Sequence, residues 1–72
     1  FNPETSIRFS IKAGETGILS IYNAKGQLMQ EKKFPEGSHD YIWYANNRAS
    51  GVYFYRLQTS SYTQTRKMLL LK

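Results

Sequence analysis

The sequence predicts an all-β fold, an antiparallel β-sandwich of six to seven strands. Apolar and polar residues alternate along several short segments, and glycine, proline and asparagine separate these segments at spacings of about 8 to 12 residues. No segment repeats apolar residues with helical spacing. The 72 residues fit one domain, residues 1–72, and the apolar fraction of 40% is enough for a single small core.

Three strands are expected in the first half of the chain, over residues 6–11, 18–22 and 27–34. Alternation along the first strand places Phe9 on the core face, and alternation along the second does the same for Ile21. Residues 23–26 are predicted to form the turn between the second and third strands, because Gly26 accepts a positive φ without a Cβ penalty. These two strands therefore form a hairpin.

Three more strands are expected in the second half of the chain, over residues 38–43, 51–57 and 63–71. We predict Trp43 and Phe54 in the core, because large rings supply much of the area that so small a domain can bury. Residues 44–50 contain two asparagines and are predicted to form a polar loop. A seventh short strand, if present, would lie within residues 1–5 or 44–50.

Few side chains of this chain are suited to chemistry. His39 is the one histidine, and its place on the inward face of a strand predicts a packed, hydrogen-bonded core residue. Asp40 follows it and is expected to point the opposite way. The five carboxylates are dispersed and cysteine is absent, so we expect no catalytic, cofactor-binding or metal site. No apolar run approaches the ~20 residues of a membrane span.

The net charge of +5 raises the question of an anionic partner such as nucleic acid. The ten lysines and arginines are scattered along the chain, with no more than two adjacent. Scattered cations are typical of a solvated surface, so we do not expect nucleic-acid binding. The aromatic side chains of the strands are likewise expected to pack in or beside the core.

Several short motifs of this chain occur together in one known family. They are Phe1-Asn2-Pro3, Ile7-Arg8-Phe9, Ile21-Tyr22-Asn23, Gly26-Gln27, Trp43, Ala49 to Leu57, Gln64 and Lys67-Met68. Together they resemble the type IX secretion system C-terminal sorting domain, type A, over essentially the whole chain. This family is similar to the immunoglobulin-like domain of the flagellar hook-capping protein. The resemblance therefore implies an immunoglobulin-like sandwich.

The resemblance also implies a function and a set of partners. Such domains end many exported proteins of Bacteroidota and direct a passenger from the periplasm across the outer membrane. The implied partners are the translocon and its shuttle components, together with the passenger N-terminal to the domain. The passenger would then be secreted or held at the outer-membrane surface, with lipopolysaccharide attachment after cleavage as a further implied step. We accordingly expect the chain to be the C-terminal piece of a larger secreted protein, without catalysis or a cofactor.

Two other functions remain open from the sequence. The first is a structural immunoglobulin-like accessory domain, packed on a catalytic domain or belonging to a hook-cap protein. The second is a carbohydrate-binding module, which requires a platform of aromatic side chains facing solvent.

We expect recognition of such a domain at the end of the chain. The candidate recognition segment is Lys67, Met68, Leu69, Leu70, Leu71 and Lys72. A terminal strand at a sheet edge can be extended by a strand from a partner. Alternatively, Met68 and Leu70 fill the core and the lysines keep the end soluble. The family motif includes Gly51, Val52 and Tyr53, and Gly51 is expected to need a backbone conformation closed to other residues.

Overall fold

A computed structural model describes residues 4–45 and 48–71 and confirms the all-β fold. The strands are β1 (Glu4–Ile11), β2 (Gly17–Asn23), β3 (Leu28–Phe34), β4 (Gly37–Tyr44), β5 (Gly51–Gln58) and β6 (Thr63–Leu70). Each of the six expected strands is present, with its ends within two residues of the predicted bounds. The described part of the chain contains no helix and no seventh strand.

The strands form two sheets, and every pairing is antiparallel. One sheet has four strands in the order β3-β2-β5-β6, and the other consists of β1 and β4. This is the arrangement of an immunoglobulin-like sandwich, in which each sheet turns one apolar face to the other. The strand order places β3 and β6 at the two edges of the larger sheet.

The β2–β3 hairpin turns at the predicted position. The Asn23 carbonyl accepts a hydrogen bond from the Gly26 N–H at 3.0 Å, and the Asn23 N–H donates to the Gln27 carbonyl at 3.1 Å. The Asn23 side-chain oxygen accepts from the N–H groups of Lys25 and Gln27, at 3.0 Å each. Gly26 has a φ of +83°, which a glycine adopts without a Cβ penalty. Asparagine and glycine together therefore define this turn.

The hydrophobic core lies between the two sheets. It consists of Ile7, Ile11, Leu19, Ile21, Phe34, Trp43, Ala45, Tyr53, Met68 and Leu70. Trp43 is only 3% exposed, and its ring meets the Tyr53 ring edge-on at a centroid distance of 5.4 Å. Such edge-to-face pairs stabilise beyond the area they bury, by about 0.5–1.5 kcal/mol. Ala45 is fully buried although it falls in the segment predicted to be a polar loop.

The structure corrects the predicted position of Phe54. Tyr53 and Leu57 are the buried residues of β5, so Phe54 between them faces away from the core and is half-buried on the outer face of the sheet. Both faces of β5 are apolar, and alternation alone therefore does not select the inward one. The pairing with β2 selects it, because Leu57 lies opposite the buried Leu19.

The rings of Phe9, Phe34 and Tyr41 form an aromatic cluster at one end of the core. Phe9 is half-buried and packs against the core from its rim, with its ring 4.9 Å from that of Phe34 in an edge-to-face arrangement. Tyr41 also packs edge-on against Phe34, at 5.8 Å. The Lys32 ammonium lies 5.5 Å from the Phe34 ring centre and 5.4 Å from that of Tyr41. A lysine stem and its charge thus cover this end of the core.

Candidate functional site

His39 and Asp40 lie on opposite faces of β4 and do not form a pair. The His39 ring packs 4.9 Å from that of Phe34, and its Nε2 lies 2.8 Å from the Pro35 carbonyl oxygen. Because a carbonyl only accepts hydrogen bonds, Nε2 carries the proton. Asp40 lies on the opposite face, where its carboxylate pairs with Arg8 at 3.7 Å. His39 is therefore a structural residue at the rim of the core.

The structure offers no clear metal site in the parts of the chain that it describes. No group of three or more histidine, cysteine, aspartate or glutamate side chains lies close enough to hold a metal ion within residues 4–45 and 48–71.

Residues 67–70 of the candidate recognition segment form the second half of β6, and Leu71 follows the end of the strand. This strand pairs with β5 along its whole length, with Gly51 opposite Leu70 and Tyr53 opposite Met68. No other described strand pairs with β6, which makes it an edge of the four-stranded sheet. An edge strand is the place at which a sheet can accept a further strand.

Side chains of the recognition segment alternate between the core and solvent. Met68 is 8% exposed and Leu70 is fully buried, whereas Leu69 is 50% and Leu71 is 56% exposed. Lys67 is also exposed. The segment is therefore anchored by one set of side chains and presents the other set, because adjacent residues of a strand point to opposite faces. Lys72 lies outside the described residues.

The motif Gly51, Val52 and Tyr53 forms the entry to β5, the strand that holds β6. Gly51 has a φ of +145°, in a region that is essentially restricted to glycine. The Tyr53 hydroxyl donates a hydrogen bond of 2.6 Å to the Ala49 carbonyl, four residues back in the chain. Val52 faces outward and is half-buried. A tyrosine that bonds to the preceding backbone in this way is a known device of immunoglobulin-like sandwiches, where it fixes a corner of the chain.

This corner gives the motif a physical role. The hydrogen bond closes residues 49–53 into a loop, and the Tyr53 ring packs on Trp43, so the position of β5 is tied to both sheets. Because β5 is the one described strand that pairs with β6, the corner also positions the recognition segment. Sequence reasoning missed the Ala49 carbonyl as the acceptor. The sequence does contain a signal for this hydrogen bond, which is the tyrosine directly after a Gly-Val step at the start of a strand.

Comparison with protein families identifies the chain. A family model described as the secretion system C-terminal sorting domain matches residues 2–71. The chain belongs to this family. It is a type IX secretion C-terminal sorting domain, in agreement with the resemblance seen in its motifs. Comparisons with curated proteins and with solved structures gave no match.

Membership of the sorting domains determines the general function. The chain has a sorting role in type IX secretion, and it acts together with a passenger and the secretion machinery. Export of this kind delivers proteins to the medium or to the cell surface, and the sorting-domain family is non-catalytic. Within the described residues, no helix is long and apolar enough to cross a membrane.

Proposed function

We propose that the secretion machinery recognises this domain at its terminal strand and carries the passenger N-terminal to it from the periplasm across the outer membrane. Residues 1–72 are then one domain at the C-terminal end of a larger secreted protein. After cleavage, the passenger is released or joined to lipopolysaccharide at the surface. The observation that best supports this proposal is that β6 is an edge strand with one face anchored in the core.

Anchoring makes the recognition segment a prepared surface for binding. Met68 and Leu70 are buried, so the backbone of β6 is already extended before a partner arrives. A partner strand that pairs with it pays less conformational entropy than it would with a flexible tail. Lys67 adds an exposed charge that orients the partner and discourages association with the wrong edges. Recognition and packing thus use alternate residues of the same strand.

Export of a reporter tests the proposal. The reporter is placed between a signal peptide and residues 1–72 and is expressed in a host that carries the type IX machinery. We expect the reporter to reach the medium or the cell surface. Removal of Lys67–Lys72 should abolish export, but this deletion also removes two core residues and therefore affects folding.

A point variant separates recognition from folding. Lys67→Glu reverses an exposed charge on β6, and Lys33→Glu makes the same change on β3, at the opposite edge of the same sheet. We expect Lys67→Glu to reduce export at least tenfold and Lys33→Glu to leave it unchanged, while both variants unfold at the same urea concentration. Equal export by the two variants would contradict recognition at β6. Retention of the unaltered fusion in the periplasm would favour a structural accessory domain instead.

A further inference from the structure

The outer face of the four-stranded sheet carries a continuous apolar patch. Tyr22 lies opposite Leu28 on β3 and opposite Phe54 on β5, and Val52 lies opposite Leu69 on β6. We call these five residues the outer apolar strip. Leu28 and Leu69 are 52% and 50% exposed, respectively. The solvated face of an antiparallel sheet is usually polar, so a patch that crosses all four strands indicates contact with another surface.

Two cations border the outer apolar strip. The Arg56 guanidinium lies 5.3 Å from the centre of the Tyr22 ring, and its buried Nε has no hydrogen-bond acceptor among the described residues. Lys67 lies directly opposite Phe54 and is exposed. The ion pair found within the described residues lies on the β1–β4 sheet, away from both cations. Neither cation therefore has a carboxylate partner there. A surface that covers the strip can supply one to Arg56, whereas Lys67 lies on the edge strand and stays available to the secretion machinery.

The charges of this face argue against a second copy of the chain as the occupant. Among the described residues, Lys33, Arg56 and Lys67 project from the outer face of the sheet, and Glu31 is the one carboxylate on that face. Two copies packed face to face would bring these cations together, at a cost in repulsion. An occupant with apolar side chains and carboxylates has no such cost.

The position of the strip points to the passenger as that occupant. Glu4, at the start of β1, pairs with Tyr44 at the end of β4. Trp43 in turn contacts Tyr53 near the start of β5, next to Val52 of the strip. The described chain therefore starts, at Glu4, at the end of the sandwich where the strip lies, which is the end towards which a preceding passenger is connected. A covalently joined partner also has a high effective concentration there.

We propose that the outer apolar strip binds a surface of the passenger domain that carries apolar side chains and carboxylates. The proposal rests on the proposed function only in requiring that a passenger precedes the domain. Docking of this kind holds the sheet face against the passenger while the β6 edge stays accessible, because side chains of the face and backbone groups of the edge point in different directions.

Thiol labelling of the full-length parent protein tests this docking. The chain has no cysteine, so single substitutions introduce one reactive site each, and labelling of the unsubstituted parent is subtracted. Leu28→Cys lies on the strip, and Ile42→Cys lies on the outer face of the β1–β4 sheet as the control. Within the domain alone, Leu28 is more exposed than Ile42, at 52% against 39%. We expect maleimide to react at least tenfold more slowly at position 28 than at position 42.

Two further variants keep the test decisive. Val52→Cys reports on the strip from another strand, should Leu28→Cys fail to fold as judged by circular dichroism. Arg56→Gln removes one cation but keeps a flexible polar side chain, and it should raise the labelling rate at position 28 at least threefold. Labelling uses the purified protein, so its outcome does not depend on whether export succeeds or on which strand the machinery reads.

Three results would overturn the proposal. The first is labelling at position 28 as fast as at position 42. The second is protection that disappears when the protein is diluted to a monomer, which would show that a second copy covers the strip. The third is protection that arises only after phosphatidylglycerol vesicles are added, which would show that an anionic lipid surface is the occupant.

Discussion

Gly51 offers the sharpest test of how the family motif works. It begins β5 with a φ of +145°, and a Cβ built on it meets no atom within 4 Å. Alanine at this position therefore costs backbone strain and causes no clash. The strain in this region is about 1–3 kcal/mol. Lower freedom of the unfolded chain offsets about 0.4–1 kcal/mol of it. The middle of the strain range less the middle of this offset leaves a net loss of about 1.3 kcal/mol in the free energy of unfolding.

Urea unfolding followed by tryptophan fluorescence measures this loss, since Trp43 is buried and is the one tryptophan of the chain. For a domain of this size the urea dependence of the free energy is about 1 kcal/mol per M, so Gly51→Ala should lower the midpoint by about 1–2 M. Gly26→Asn is the matched control, because asparagine tolerates a φ near the +83° found at Gly26. It should change the free energy of unfolding by less than about 0.5 kcal/mol.

The same substitution at the other glycine completes the comparison. Gly51→Asn should be as destabilising as Gly51→Ala, since asparagine gains access to the left-handed helical region but not to a φ of +145°. If Gly51→Ala unfolds at the same urea concentration as the unaltered protein, the backbone conformation is not the reason for glycine in the motif. Equal damage from Gly26→Asn and Gly51→Asn would refute the reasoning as well.

Three further changes test the corner, the core and the packing between strands. Tyr53→Phe removes the hydroxyl that donates to the Ala49 carbonyl at 2.6 Å and should lower the free energy of unfolding by about 1 kcal/mol. Urea unfolding measures this loss. An unchanged midpoint would show that water replaces this hydrogen bond without loss. Trp43→Ala leaves a cavity in the core and should lower the free energy of unfolding by about 3–5 kcal/mol, most of the stability of so small a domain. A native far-UV circular dichroism spectrum with an unchanged melting temperature would contradict the assignment of the core. Gly17→Ala places a Cβ 2.6 Å from the Ile11 Cδ1 methyl group and should lower the free energy of unfolding by about 1–3 kcal/mol through overpacking. Ile11→Val removes this methyl group, so the double variant should be more stable than Gly17→Ala alone.

Local patterns in the sequence determined the elements of this fold. Alternation and turn residues located six strands, because side-chain direction in a strand and positive φ at Gly26 and Gly51 are properties of a few neighbouring residues. The same local reasoning recognised that His39 and Asp40 point to opposite faces and do not act together. The motif around Gly51 also carried the resemblance to the sorting domains, which the family comparison confirmed.

Which surfaces are buried and which are presented depends on how strands distant in sequence pack together. Both faces of β5 are apolar, so alternation does not show which of them is buried. The pairing with β2 places Tyr53 and Leu57 in the core and Phe54 on the outer face. The position of β6 at an edge depends on the order of strands distant in sequence, and so does the alignment of Tyr22, Leu28 and Phe54 in one row. The chain adopts the strand pairings that bury the most apolar area in total. This total depends on all strands together, so it cannot be obtained from any single segment of the sequence.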